Sequence, residues 1–305
     1  MGWHCGASLG PSDTLATLPS KRTCDMAARM TPHREKLRAR CWQFLAAASL
    51  SWLPACATSA EKVPEAPAQP AIVGTPEAPP GTVPPQAIVD APDRTPEDRE
   101  ADTRRRPVEL LEFLGVSSGA RVADLAAGSG YTTELLARAV GPSGVVYAQN
   151  DKATIDKYVS ESWPKRLGRD ATRNVVRMDR EFDAPFSPEA HDLDIVTLLF
   201  SYHDVVASGG ERSKLNAEVF RALAPGGRYV VADHRAAPGT GLQAASTLHR
   251  IEEKIVREEV EAAGFTFVES GEFLRDPNDD ATEPSFKRGF ATDRFILKFK
   301  KPEAP

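Results

Sequence analysis

Asp124, Gly128 and Gly130 share one short stretch, Asp124-Leu-Ala-Ala-Gly128-Ser-Gly130. Their chemistry is that of ligand capture. Glycine removes the side chain where backbone must bend sharply or approach a ligand closely. An acid closing a buried apolar run is costly without a partner, which favours function over a mere turn cap. A second set of reactive side chains lies downstream, at Tyr202-His203-Asp204, Asp233-His234 and His249-Arg250. Histidine takes or gives a proton near neutral pH. His203 and His249 are therefore candidate catalytic bases, with His234 a third and Asp204 placed to orient His203. Each histidine is equally explained as a hydrogen-bonded loop residue. Arg250 suits an acidic acceptor or a helix cap. The histidines are dispersed, without ligand-type spacing, so no metal is expected.

The elements that must position these residues follow from hydrophobic periodicity. Val122, Ala123 and Leu125 read as a buried strand, and Thr132–Val140 as a helix stopped by Gly141-Pro142. Together they form a strand, a glycine turn and a helix, a unit that aims free backbone N–H groups at one nucleotide-like ligand. Further strands are expected at 144–149, 174–178, 191–200 and 228–233, then at 265–269 and 294–299. Helices alternate with the first five. The 191–200 segment is almost continuously apolar in its core, as in a sheet covered on both faces. The pattern is a doubly wound α/β fold with a mostly parallel seven-stranded sheet and an antiparallel last strand. His203, His234 and His249 all follow strand ends, where open α/β sheets bind ligands. The charged residues Asp98, Asp102, Arg104, Arg105 and Arg106 are read as a solvated face. The excursion 271–292 is read as a lid over an acceptor or a disordered loop.

Three ligands compete for the glycine turn. A phosphate cradle requires Lys followed by Ser or Thr after the glycines, and none is present. A dinucleotide fingerprint requires Gly or Ala at the position of Thr133. The third ligand is S-adenosylmethionine (SAM). Asp124-Leu-Ala-Ala-Gly128-Ser-Gly130, the Pro225-Gly-Gly227 turn and the closing strand pair resemble the class I SAM-dependent methyltransferases. More narrowly, Tyr202-His203-Asp204 and Leu248-His249-Arg250 resemble a group of bacterial predicted methyltransferases. The resemblance covers essentially all of residues 96–301. It implies SAM as cofactor. Asp124 would face the cationic head, and Ala126, Gly128, Gly130 and Tyr131 would border the methionine and ribose. Asn150 stands where the family places the acid that takes the ribose hydroxyls. Asp179 would meet the adenine amino group, and Phe200 and Tyr202 would flank the adenine or the sulfonium.

The 305-residue chain divides by composition into three parts. Residues 1–56 read as an over-extended start, with the true start at Met26 or Met30, followed by a signal segment. That segment has a basic run, 33–40, and an apolar run, 42–53. Leu53-Pro-Ala-Cys56 resembles a bacterial lipobox, which implies lipidation of Cys56 and membrane attachment; Ala55-Cys-Ala57 also suits ordinary cleavage and secretion. Residues 57–95 are rich in Pro, Ala and Glu and read as a disordered linker. Residues 96–303 read as the methyltransferase domain. All four cysteines precede it, which excludes a disulfide framework or cysteine nucleophile there. The net charge of −5 excludes a basic nucleic-acid footprint.

The expected activity is SAM-dependent methyl transfer to a small-molecule acceptor. The expected location is the cell envelope or periplasm, lipid-anchored. Since SAM is a cytosolic metabolite, a second class is kept open: an envelope lipoprotein binding module with a degenerate SAM pocket. An NAD-dependent oxidoreductase is the third reading.

Overall fold

A computed structural model describes residues 82–288 and 291–303. The expected signal segment and Cys56 lie outside them. The chain order is α1 (Pro85–Val89), α2 (Pro96–Arg105), α3 (Pro107–Leu114), β1 (Arg121–Leu125), α4 (Tyr131–Val140) and β2 (Val145–Asn150). Next come α5 (Lys152–Thr154, running into a π turn at Ile155–Val159), α6 (Ser162–Leu167), β3 (Val175–Asp179), β4 (Leu193–Leu199) and α7 (Tyr202–Ala207). The chain closes with α8 (Arg212–Ala222), β5 (Leu223–His234), α9 (Gln243–Leu248), α10 (Glu253–Ala262), β6 (Thr266–Gly271) and β7 (Arg294–Lys300). No helix among the described residues is long and apolar enough to cross a membrane.

The seven strands form one sheet in the order β3-β2-β1-β4-β5-β7-β6. β1 pairs in parallel with both β2 and β4, and only β7 runs against its neighbours. The order reverses beside β1, so the β1 and β4 carboxyl ends flank the crevice where such sheets take ligands. One apolar layer carries Leu198, Val231, Tyr229, Phe295 and Leu297 against Leu215, Val219, Val256 and Val260 of α8 and α10. On the other face, Val122, Val146, Ile195 and Val230 pack under α3 and α4. The inner strands β1 and β4 are largely apolar on both faces because helices cover both.

The folded unit begins earlier than residue 96. Ile88 and Val89 are buried, with Ile88 in the layer that holds Leu110, Leu135 and Leu136. The Pro-rich composition hid the short apolar pair, and Pro84 and Pro85 sit where proline starts a helix well. The charged face of α2 is not solvated either. Asp98 is buried and receives both terminal nitrogens of Arg166 at 2.7 and 2.8 Å. Asp102 accepts a two-nitrogen contact from buried Arg94 at 2.6 and 2.7 Å. A partner from just before the helix, Arg94, and one from α6, Arg166, offset the cost of turning a charged face inward.

Ile88→Ala should lower the unfolding free energy of the protein by about 2–4 kcal/mol, the usual range for a buried aliphatic truncated in a packed layer. Urea unfolding followed by circular dichroism measures it. A change under about 0.5 kcal/mol would restore the linker boundary at 95.

Candidate active site

The β1 strand ends in Asp124, which is fully enclosed. Its carboxylate accepts from the Thr133 hydroxyl of α4 at 2.6 Å and the Thr197 hydroxyl of β4 at 2.9 Å. Burial pushes its pKa up to about 6, against the pull of the two hydroxyls and of Arg105. The chain then turns through left-handed backbone at Ala126 (φ 53°), Gly128 (φ 57°) and Gly130 (φ 82°). The turn is tied to the end of β2. Gln149 Oε1 accepts from the Ala126 N–H at 3.0 Å. Asn150 pairs with Gly128 like a second peptide: Oδ1 accepts from the Gly128 N–H at 2.8 Å and Nδ2 donates to the Gly128 carbonyl at 3.0 Å.

That pairing revises the place of Asn150. Its amide is committed to shaping the turn, not presented to a ribose; an acid there would lack the donor for the Gly128 carbonyl. Asp179 stands beside it in the sheet register, exposed, accepting from Arg177 at 2.6 Å. Tyr202, expected to flank the adenine or the sulfonium, lies in the core. It is wholly buried under the sheet, donates to Glu259 at 2.7 Å and accepts from Asn216 at 3.0 Å. It opens α7, and the helical turn sends its side chain inward while His203 faces the crevice. Tyr131 does border the turn, with its hydroxyl donating to Asp102 at 2.6 Å.

The histidines converge. His203 is buried, and its ring Nδ1 lies 2.7 Å from an oxygen of Asp233. Asp233 also accepts from the backbone N–H groups of His203 and His234 at 2.8 and 2.7 Å. On the other side of the ring, Nε2 is 3.2 Å from Asp204 Oδ1, and His249 Nδ1 is 3.6 Å from that same oxygen. Burial works to lower the His203 pKa, but the two carboxylates outweigh it and hold it raised, at about 10. His234 has the opposite balance: burial takes it down to about 4. The expectation of no metal-ligand set rested on dispersal in sequence. In space, His203, Asp204 and His249 each offer a ligand atom within 4.8 Å of the others. Asp233, not Asp204, is the principal orienting group, a pairing of β5 with α7 that sequence adjacency hid.

Two cavities meet here. One, of about 550 Å³, is bordered by Ser129 and Tyr131 of the turn, Arg166 of α6, and Asp98 and Arg105 of α2. The other, of about 390 Å³, is lined by Arg105, Phe200, His203, His234, Phe286 and Arg294. Arg105 borders both. Its guanidinium lies 5.0 Å from the Tyr131 ring centre and 5.7 Å from that of Phe200, and Arg294 lies 5.6 Å from the same Phe200 ring. Phe200 occupies left-handed backbone, φ 64°, directly after β4. Arg294 is buried and its Nε has no hydrogen-bond partner. Burial first, and then the nearby Arg105 charge, lowers its pKa to about 10. Neither arginine was singled out as a site residue from the sequence. A third hollow, of about 700 Å³ around Ala137, Gly141 and Asn174, lies at the opposite end of the sheet. Arg250 serves the fold instead of an acceptor: fully buried, it pairs with Asp279 at 2.7 Å and donates to the Glu283 carbonyl at 2.9 Å, anchoring the 271–292 excursion.

The two turn glycines have different reasons. A Cβ on Gly128 would meet nothing within 4 Å, whereas one on Gly130 would lie 2.8 Å from the buried Trp163 ring. Gly128→Ala should therefore cost about 1–2 kcal/mol, for left-handed backbone alone. Gly130→Ala should cost about 2–4 kcal/mol, because overpacking adds to it. Equal losses in chemical unfolding would refute the distinction.

The family model for protein-L-isoaspartate(D-aspartate) O-methyltransferase matches residues 104–271, more than half of the chain. The ubiquinone/menaquinone biosynthesis C-methyltransferase UbiE of Pseudomonas paraeruginosa is 36% identical over 123 residues, which cover 40% of this chain and 44% of that protein. The corresponding Psychromonas ingrahamii protein is 32% identical over 121 residues, covering 40% and 45%. The chain thus spans under half the length of these curated relatives. A solved SAM-dependent methyltransferase from Aquifex aeolicus is 17% identical, with a TM-score of 0.48 over 67% of this chain and 97% of that one. The glycine turn after a buried acid, on a sheet of this order, agrees with the family match: the chain belongs to the protein-L-isoaspartate(D-aspartate) O-methyltransferase family.

Proposed function

We propose that this protein transfers the methyl group of SAM to a small anionic acceptor bound against Phe200, His203 and Arg294. One observation carries the reading. Arg105 is the common wall of a cavity bordered by the glycine turn and a cavity bordered by the histidines. A cofactor on one side and an acceptor on the other would face each other past Arg105 and Phe200.

The turn residues suit the cofactor. Gly128 has left-handed backbone and open space where a side chain would stand. Ala126, Gly128, Ser129, Gly130 and Tyr131 would border SAM, and Asp124 would offer a carboxylate to its cationic portion. Asp179, at the neighbouring strand end, is the exposed acid on that rim. When bound, SAM supplies a methyl group already activated by a positively charged sulfur. The chain's own task is then orientation and exclusion of water. On the acceptor side, Arg105 and Arg294 bring two guanidinium groups to one cavity. An anion there offsets their mutual repulsion. The aromatic faces of Phe200 and Phe286 favour a planar or apolar body. Where the anionic atom itself takes the methyl group, no proton is lost, and His203, Asp204 and His249 are proposed to bind and orient the acceptor. The family and the curated relatives are named for different acceptor atoms, oxygen and carbon, so neither name decides the atom here. The binding-module and NAD-dependent readings draw no support from the family match. Against the latter, Thr133 is locked to Asp124 where a dinucleotide turn needs Gly or Ala.

Calorimetry with SAM tests the cofactor half. Asp124 charges as the pH rises through about 6, so affinity for the cationic ligand should strengthen across that interval and then level. Asp124→Asn should abolish the pH dependence and weaken binding at least about tenfold. No heat with wild-type protein refutes the reading. For the acceptor half, methyl-labelled SAM and a small-molecule extract should yield labelled product from the anion-exchange-retained fraction, cut about tenfold or more by Arg294→Gln with SAM affinity retained. Label only in the unretained fraction would refute an anionic acceptor.

The location in the cell envelope is proposed on the signal-like segment alone. Radiolabelled fatty acid should be incorporated by the wild type expressed in bacteria and not by Cys56→Ala. Absence from both would exclude a lipid anchor.

A further inference from the structure

We propose that His203, Asp204 and His249 hold one divalent first-row transition metal ion, of the zinc type, beside the acceptor cavity. Its function as an acceptor anchor rests on the reading of that cavity given above; its existence does not. Asp204 Oδ1 lies 3.2 Å from His203 Nε2 and 3.6 Å from His249 Nδ1. Two ligands about 2.0–2.1 Å from a tetrahedral ion stand about 3.3–3.4 Å apart. The three atoms are within 4.8 Å of one another, so small side-chain rotations close the set.

The surroundings match those of a metal-bound histidine. Such a ring characteristically gives its other N–H to a carboxylate, which fixes the tautomer and raises the basicity of the ligating nitrogen. His203 Nδ1 lies 2.7 Å from Asp233, itself wholly buried and held by two backbone N–H groups. With Nδ1–H turned to Asp233, the Nε2 lone pair meets the Asp204 carboxylate, and two acceptors face each other. A proton can settle that pair. It does not account for the third base: His249 is brought to the same oxygen by left-handed backbone, φ 50°, with its ring edge-to-face on Phe286 at 5.3 Å. Two imidazoles and one carboxylate select zinc-like or ferrous ions over magnesium or calcium, which prefer all-oxygen sites. Three protein ligands leave a position open, as in sites that bind a further group. His203 lines the acceptor cavity, so an anionic oxygen from the acceptor would complete the shell.

The test uses the full chain, stripped with chelator and dialysed, then titrated with Zn²⁺ by calorimetry and with Co²⁺ by visible absorption. The expected result is one equivalent per chain, with the intense d–d bands of a low-coordinate nitrogen–oxygen site. His249→Asn keeps a residue tolerant of left-handed backbone and removes the imidazole. It and Asp204→Asn should each weaken binding at least about tenfold with the thermal unfolding midpoint of the apoprotein held, and Asp233→Asn by about 10–100-fold. Absence of stoichiometric binding overturns the proposal, as does affinity unchanged in both His249→Asn and Asp204→Asn. Thiolate charge-transfer bands would assign the ion to the N-terminal cysteines and overturn it too. If metal binding fails while the wild type still takes up SAM, the cofactor reading stands without the metal.

Discussion

A carboxylate placed where water cannot reach is the constraint on which the molecule depends. Asp124 closes the central strand, and the Arg105 charge reaches it. Two threonine hydroxyls bond its carboxylate, one from α4 and one from β4. Those bonds join three elements at the point where the sheet order reverses, which is also the crevice of the fold. They hold the start of α4 down on β1, so the chain between must turn within a few residues through left-handed backbone. Trp163 fills the space under Gly130, and Asn150 clasps Gly128. The glycine turn is thus shaped from below by packing and hydrogen bonds, and its upper side is left to a ligand. Burial also raises the affinity of Asp124 for protons.

Over this turn lies a covering of charges. Asp98, Asp102, Arg94 and Arg166 would destabilise the fold if brought singly out of water. As matched pairs with two-point contacts they instead fix α2 across the turn. Glu134 of α4 joins Arg166 and Arg138 at 2.6 and 2.7 Å, extending the network onto the turn's own helix. The result places Arg105 at the junction of two cavities. A helix that looks like a surface element in isolation becomes a wall of the cavity beside the glycine turn.

Across that junction the cluster of Asp233, His203, Asp204 and His249 depends on a different geometry. Parallel pairing of β4 with β5 sets their carboxyl ends side by side. The first turn of α7 therefore begins next to the last residues of β5. His203 inserts between an acid from its own helix and an acid from the neighbouring strand. Tyr202, one residue earlier, turns into the core. Neighbours in sequence separate by about 100° around a helix, so one serves the site and the other the fold.

The succession of strands and helices, the glycine turn and the antiparallel closing strand were legible in the residues, through local periodicity and turn chemistry; the cofactor class came from the resemblance to the SAM-dependent methyltransferases. Asp124 was legible on similarly local grounds, because an acid that ends an apolar run is too costly to bury without a partner. Meetings of distant residues were not legible. The pairing of Asp233 with His203, the approach of His249 to Asp204, the Arg166 contact that holds Asp98 inward, and the arginines around Phe200 all join positions separated by dozens of residues. Composition misplaced the start of the folded unit, because two apolar residues among prolines acquire meaning only against the layer that buries them. Asn150 read as a ligand contact because its position suits one, while its amide was claimed by a backbone peptide 22 residues away. Local patterns decide which elements form. Which polar groups remain for chemistry is decided only when tertiary packing has assigned partners to the others.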